Sequence, residues 1–169
     1  MNRRKNVYRG RLDLKDVKKF ELEPGELDRR RLARGDLLII VGNGSFNEIG
    51  RCAKWNGEID NCVHQNHVIR CRPFDESVSD WILLYLNSPS GTETMQKLAI
   101  TSSGLYSLSV GKIRQILFPL PPLAEQKRIV AKVEQLRGLV DRLEAQLAES
   151  RAKATALLDA VVAELSAAA

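Results

Sequence analysis

Two hydrophobic periods divide the chain. From Ile129 onward, alternating steps of four and three residues meet Ile129, Val133, Leu136, Val140, Leu143, Leu147, Ser150, Ala154, Leu157, Val161 and Glu164, and nine of these eleven are apolar. A mean step of about 3.5 residues is the seam of a left-handed coiled coil. The positions between are largely charged, Gln or Ala. The segment from Leu123 to the end has no proline and one glycine, Gly138. This predicts a helix over 123–166, too long for one small domain to cover, so a second chain is implied. The alternative is a single helix lying on its own domain. Ser150 interrupts the seam.

Upstream the pattern is shorter and mixed. Leu37-Leu38-Ile39-Ile40-Val41 is an uninterrupted apolar run between Gly35-Asp36 and Gly42-Asn43-Gly44, which predicts a buried strand followed by a tight turn. Asn61 to Arg72, rich in Val and Ile, is a second strand candidate. Trp81 to Leu86 predicts a helix entered near Asp75 or Ser77. Ser90 and Glu93 have capping-box spacing and open a helix through Met95, Leu98 and Ile100, ended by Ser102-Ser103-Gly104. A short helix is expected around Val110 to Ile116, and Pro119, Pro121 and Pro122 stop regular structure. The predicted class is α+β: a small mixed domain at 1–118, a proline-rich joint at 119–122 and the long helix at 123–166.

Composition narrows the function. The 169 residues carry 26 Lys and Arg against 21 Asp and Glu, a net charge of +5. Residues 1–123 hold 19 bases and 14 acids, and 124–169 hold seven of each, so the whole excess lies in the first part. That suits a polyanionic partner and equally suits a solvated basic face. Trp81 to Leu86 is the longest apolar run, far below the roughly 20 residues of a membrane helix. Arg3, Arg4 and Lys5 are basic, but Tyr8 to Leu14 provides no apolar signal-peptide core. Three cysteines, Cys52, Cys62 and Cys71, do not make a disulfide framework, and a reducing, cytoplasmic setting is expected.

No enzyme constellation emerges. Cys62, His64, His67 and Cys71 invite a zinc reading, but on one extended strand they would alternate faces and could not converge, so no metal is expected. Gly42-Asn43-Gly44 lacks the third glycine of a dinucleotide loop and the Lys-Ser/Thr of a P-loop. Asn87-Ser88-Pro89 lacks the second proline and the aromatic of a methyltransferase loop. The candidates for nucleic-acid contact are Arg51, Lys54, Arg70, Arg72, Lys97, Lys112 and Arg114, with Trp55, His67 and Tyr106 among or near them. Arg and Lys hold phosphates or read guanine edges.

Pro119-Leu120-Pro121-Pro122-Leu123-Ala124-Glu125-Gln126-Lys127-Arg128-Ile129-Val130, running directly into the heptad helix, resembles the end of a half-subunit in the specificity (S) subunits of type I restriction-modification systems. The upstream segments Leu32 to Ile40, Ile49-Gly50-Arg51 and Cys62 to Arg72 are similar to a target-recognition domain and occur in the expected order. The resemblance implies that the first part reads double-stranded DNA in its major groove. It implies that the helix pairs antiparallel with another such helix as a spacer. It also implies partner modification (methyltransferase) subunits that carry S-adenosylmethionine and methylate adenine, with a restriction subunit able to join. No cofactor is expected in this chain, which would choose where others act. A usual S subunit holds two recognition domains and two helices, whereas one of each is present here, and a homodimer would restore the pair. The Trp- and Leu-Gly-containing opening of such domains is not found, so the domain is either abbreviated or one piece of a split subunit. Expected DNA contacts are therefore Arg51, Lys54, His67, Arg70, Arg72, Tyr106, Lys112 and Arg114. The expected dimer seam is Ile129, Val133, Leu136, Val140, Leu143, Leu147, Leu157 and Val161. The alternative is a structural or regulatory half-subunit that dimerises, or binds the modification subunit, without reading DNA.

Overall fold

The computed structural model describes residues 6–19, 21–43, 45–102 and 105–167. Arg3, Arg4, Lys5, Gly44, Ser103 and Gly104 lie outside the described residues. The chain divides into two units between Gln126 and Lys127.

The first unit is built around β1 (Leu37–Ile40), the middle strand of an antiparallel sheet with β3 (Cys52–Lys54) on one side and β4 (Val68–Cys71) on the other. All four β1 residues are buried, because the sheet separates two hydrophobic cores. Strand alternation sends Leu38 and Ile40 to one face, with Val7, Leu32, Ala53, Trp55, Cys62 and Val68. It sends Leu37 and Ile39 to the other, with Ile49, Cys52, Leu86, Met95 and Leu108. A strand apolar on both faces is what an uninterrupted run encodes.

A second antiparallel sheet has the order β2 (Gly42–Asn43), β6 (Leu105–Ser107), β5 (Ile100–Ser102). Its β2 strand corrects one expectation: Gly42 and Asn43 form no tight turn after β1 but pair with Ser107 and Tyr106. The Asn61–Arg72 candidate also shortens. Asn61 has φ 52 and breaks extension, Val63 makes only an isolated bridge to Arg31, and the strand itself is Val68–Cys71.

After a short helix α1 (Glu26–Arg30), helices α2 (Ser79–Asn87) and α3 (Pro89–Leu98) supply Leu86 and Met95 to the second core. Asp75 caps a 3-10 turn at Glu76–Val78, accepting from the Ser77 amide at 2.8 Å, and α2 follows. The cap of α3 is Ser88 rather than Ser90. Its hydroxyl accepts from Gly91 N at 3.2 Å and donates to Tyr85 O at 2.7 Å, and Pro89 starts the helix. Glu93 instead pairs with Lys97 at 2.7 Å. The helix ends at Leu98 and Ile100 opens β5, so the expected run through Ile100 is two residues too long. Gly91 lets α3 approach α2: a Cβ there would stand 2.1 Å from Tyr85 O. Asn87 donates to Cys52 O at 2.9 Å and accepts from Cys52 N at 3.4 Å, covering the edge of β3.

A one-turn helix, α4 (Val110–Ile113), is capped by Ser109 and stops three residues short of the expected Ile116. The proline-rich stretch is irregular but tied to α2: Trp81 Nε1 donates to Pro119 O at 2.9 Å, and Tyr85 Oη donates to Leu117 O at 3.1 Å. Gln126 is buried and donates from Nε2 to Pro121 O at 2.7 Å.

The second unit is the body of α5 (Leu123–Ala167), 45 residues long, or about 68 Å at 1.5 Å per residue. Leu136, Val140, Leu143, Leu147 and Leu157 are exposed, as are Leu139 and Leu158 beside them. Ile129 and Val133 are half-buried, and the Val161 side chain is outside the description. No other helix among the described residues exceeds ten residues, so none matches α5 in length.

Candidate nucleic-acid interface

The register of the first sheet sorts the sequence candidates by position. Ile39 pairs with Cys52 and Ile40 with Val68, which places Arg51 and His67 beyond the Ile40 end of β1. Leu37 pairs with Lys54 and Cys71, which places Lys54 and Arg72 at the opposite end, and Arg70 sits between, across from Leu38. Three residues of strand separate the ends, about 10 Å at the rise of an antiparallel strand.

At the Leu37 end the cations are held by the protein's own acceptors. Lys54 Nζ pairs with Asp80. Arg72 forms a fork on Asp36, Nε to Oδ1 at 2.6 Å and Nη2 to Oδ2 at 2.7 Å. Asp36 is fully buried and Arg72 half-exposed. The same carboxylate accepts from Ala33 N at 2.7 Å, so Asp36 fastens the start of β1 to the end of β4. The hydrogen bonds to Asp36 raise the Arg72 pKa, against a smaller opposing effect of burial. Arg70 Nη1 donates to Arg31 O at 2.6 Å. A cavity of ≈ 370 Å³ opens here, lined by Arg31, Arg34 and Arg72 but also by Asp28 and Asp60, with Trp55 among its walls. The opposed charges give it no strong preference for an anion.

The Ile40 end is different. His67 is exposed, and a Cβ on Gly42 would lie 3.7 Å from its Nδ1. Tyr106, paired with Asn43, has its ring 5.1 Å from Phe46. Phe46 opens a 3-10 turn, Phe46–Glu48, and Glu48 pairs with Arg51 at 2.6 Å. Arg51, His67 and Tyr106, scattered in sequence, are thus linked through β2 and this turn. Lys112 lies in α4 and Arg114 just beyond it, Lys112 half-buried and Arg114 exposed.

Sequence reasoning missed the neighbours of Arg51. Residues Tyr8-Arg9-Gly10-Arg11 form a turn closed by Tyr8 N donating to Arg11 O at 2.9 Å. The Arg11 guanidinium lies 4.4 Å from the Tyr8 ring centroid and that of Arg51 lies 5.6 Å from it. Arg9 donates to Thr92 Oγ1 at 3.0 Å and to Asn47 O at 2.9 Å. Burial lowers its pKa below the usual arginine value, opposed by Glu48 and reinforced by Arg51. The signal was present as an aromatic and two arginines around a glycine.

The four residues of the zinc reading go to separate places. Cys62 enters one core and Cys71 packs on the other, across the sheet. His64 Nδ1 lies 3.1 Å from Val68 O, and His67 faces solvent. The expected single extended strand is not the reason, since only Val68–Cys71 is strand. Among the described residues no group of three or more His, Cys, Asp or Glu could hold a metal ion. Among them also, no helix is long and apolar enough to cross a membrane.

This two-core unit followed by a heptad helix has sequence matches among known proteins. The family described as type I restriction modification DNA specificity domain matches residues 5–150. The type I restriction enzyme EcoKI specificity subunit of Escherichia coli K12 is 32% identical over 164 residues, covering 94% of this chain and 34% of that protein. The StySPI specificity subunit of Salmonella potsdam is 30% identical over 150 residues, 87% of this chain and 32% of that protein. The EcoBI specificity subunit of Escherichia coli is 28% identical over 164 residues, 94% and 33%. The chain belongs to the type I restriction modification DNA specificity family. It spans about a third of the length of these curated relatives.

Proposed function

We propose that this chain is a DNA sequence-recognition subunit that directs an adenine methyltransferase, with or without a restriction subunit, to a two-part target. On this reading the unit at 1–118 contacts double-stranded DNA, the stretch at 119–122 is a joint, and the helix at 123–166 sets a spacing. The chain performs no chemistry and holds no cofactor; S-adenosylmethionine belongs to the modification subunits, and the complex works in the cytoplasm. The observation that carries the reading is the family match across both units, 5–150. The exposed seam on α5 supports a partner helix, and a homodimer supplies it most simply. Two copies paired antiparallel would be related by a two-fold axis, and the target would be an inverted repeat with an unread spacer.

The test is co-expression of this chain with type I modification subunits and mapping of methylated adenine. The expected result is methylation at inverted half-sites of fixed spacing, present only with the chain. Assembly with those subunits but methylation independent of the chain would leave it a structural half-subunit and reject the recognition role.

A further inference from the structure

We infer that the turn Tyr8–Arg11 is a phosphate anchor for duplex DNA, with Arg11 as the contacting residue and Tyr8 as its platform. The inference rests on the recognition role proposed above and assigns to it a contact outside the strands and loops that the resemblance singles out.

The turn is built as a fixed support. Val7 is fully buried in the first core and bridges to Leu12. Gly10 N donates to Cys52 O at 2.9 Å, with Gly10 at φ 75, a conformation that disfavours a side chain. Asn6 Nδ2 donates to Asp13 O at 2.7 Å and to Asp16 O at 3.2 Å, closing the segment behind the turn. Arg9 fastens it to α3 and to the 3-10 turn through Thr92 and Asn47.

The three arginines therefore have different tasks. Arg9 has both terminal nitrogens engaged and is a positioning residue. Arg51 is mostly covered and tied to Glu48. Arg11 is exposed, and its guanidinium rests on the Tyr8 ring. A stacked guanidinium has its N–H donors in its own plane and directed away from the ring, which suits a fork on two phosphate oxygens. Stacking also removes part of the side-chain freedom that binding would otherwise cost. Of the described acids nearby, Glu48 is paired with Arg51 and Glu93 with Lys97. The cluster lies at the Ile40 end of β1 with His67 and Tyr106, so a duplex read there would bring its backbone within reach. A contact of this kind positions the duplex and carries no sequence information.

The full chain is titrated onto a short fluorescein-labelled duplex of mixed sequence across a salt series, reading anisotropy, with circular dichroism confirming the fold of each variant. Arg11→Gln should weaken binding roughly fivefold and reduce the slope of log affinity against log salt by about 0.9. The loss should be the same for every duplex recovered from a random-sequence selection. Tyr8→Phe keeps the platform and should bind as wild type, and Tyr8→Ala should share part of the Arg11 loss. A wild type that binds while Arg11→Gln leaves affinity and slope unchanged overturns the anchor alone. Changed preference at one base pair with an unchanged slope overturns it in favour of base reading. A folded wild type that binds no duplex at low salt overturns both the anchor and the recognition role.

Discussion

In the first unit all four residues of β1 are hidden, and each side of the strand has its own core. On α5 the apolar residues from Leu136 to Leu158 stand in water, Leu143 at 63% and Leu157 at 67% exposure. Both segments are apolar in sequence, but among the described residues only the first is buried. The first unit closes its hydrophobic account internally, through short elements joined by caps and cross-strand pairs. The helix satisfies its backbone by itself and leaves this row of apolar side chains exposed. Stability in the first unit therefore resides in tertiary fit, and in the second in helix propensity, to which the proposed association would add.

The largest effect expected from this contrast is on the helix. Replacing Val140 and Leu143 together with Asp puts two carboxylates in the proposed seam. It should convert an associating chain to a monomer, at a cost of several kcal/mol per buried unpaired charge. Sedimentation equilibrium reads this directly. A wild type that is already monomeric at high micromolar concentration without a partner would remove the basis of the contrast.

A pair of glycine substitutions should then give opposite signs in the two units. Gly91→Ala sets a methyl group 2.1 Å from Tyr85 O and 2.9 Å from Leu86 Cα, backbone atoms that cannot move aside without separating α3 from α2. A loss of roughly 3 kcal/mol or more is expected in denaturant unfolding of the first unit. At Gly138 the nearest atom is Arg142 Nη1 at 3.9 Å, at the end of a flexible side chain. Gly138→Ala should raise the stability of the helix by about 0.5–1 kcal/mol, from propensity alone. Thermal unfolding at fixed protein concentration checks it, since association is coupled to the midpoint. Opposite signs sharpen the contrast; two losses would mean that α5 is tightly packed at Gly138.

The smallest effect concerns acid. Burial, with Arg70 and Arg30 adding to it and hydrogen bonds to backbone carbonyls opposing it, lowers the His64 pKa from 6.5. The folded unit therefore binds this proton more weakly than the unfolded chain. Stability is complete above the unfolded value near 6.5 and falls as pH drops through it toward the lower folded value. Unfolding midpoints measured on both sides of that window should show the decline. His64→Gln should flatten it, while the helix, which contains no histidine, should not share it.

The heptad period, the proline stop and the apolar run of β1 could be read from residues alone, because each is a local pattern with one physical solution. A 3.5-residue seam over a stretch with no proline and one glycine has few alternatives to a long helix, and the Leu37 run between turn residues reads as a buried strand. Tertiary structure decided what local patterns cannot. A turn closed by Val68 N donating to Gln65 O delayed to Val68 the strand that Val63 and its neighbours suggested. Ser88, one residue before Pro89, won the cap from Ser90 because its hydroxyl could reach both Tyr85 O and Gly91 N. The candidate site divided the same way. Charge identified Arg51, Lys54, Arg70 and Arg72 among its candidates, but register placed Arg51 at one end of the sheet, Lys54 and Arg72 at the other and Arg70 between. Asp80, Asp36 and the Arg31 carbonyl then took up the last three, while Tyr8, Arg9 and Arg11 came to Arg51 from forty or more positions away along the chain. A sequence specifies the charge of a side chain, but whether that charge is spent inside the protein or offered to a partner depends on which acceptors the fold brings within hydrogen-bonding distance.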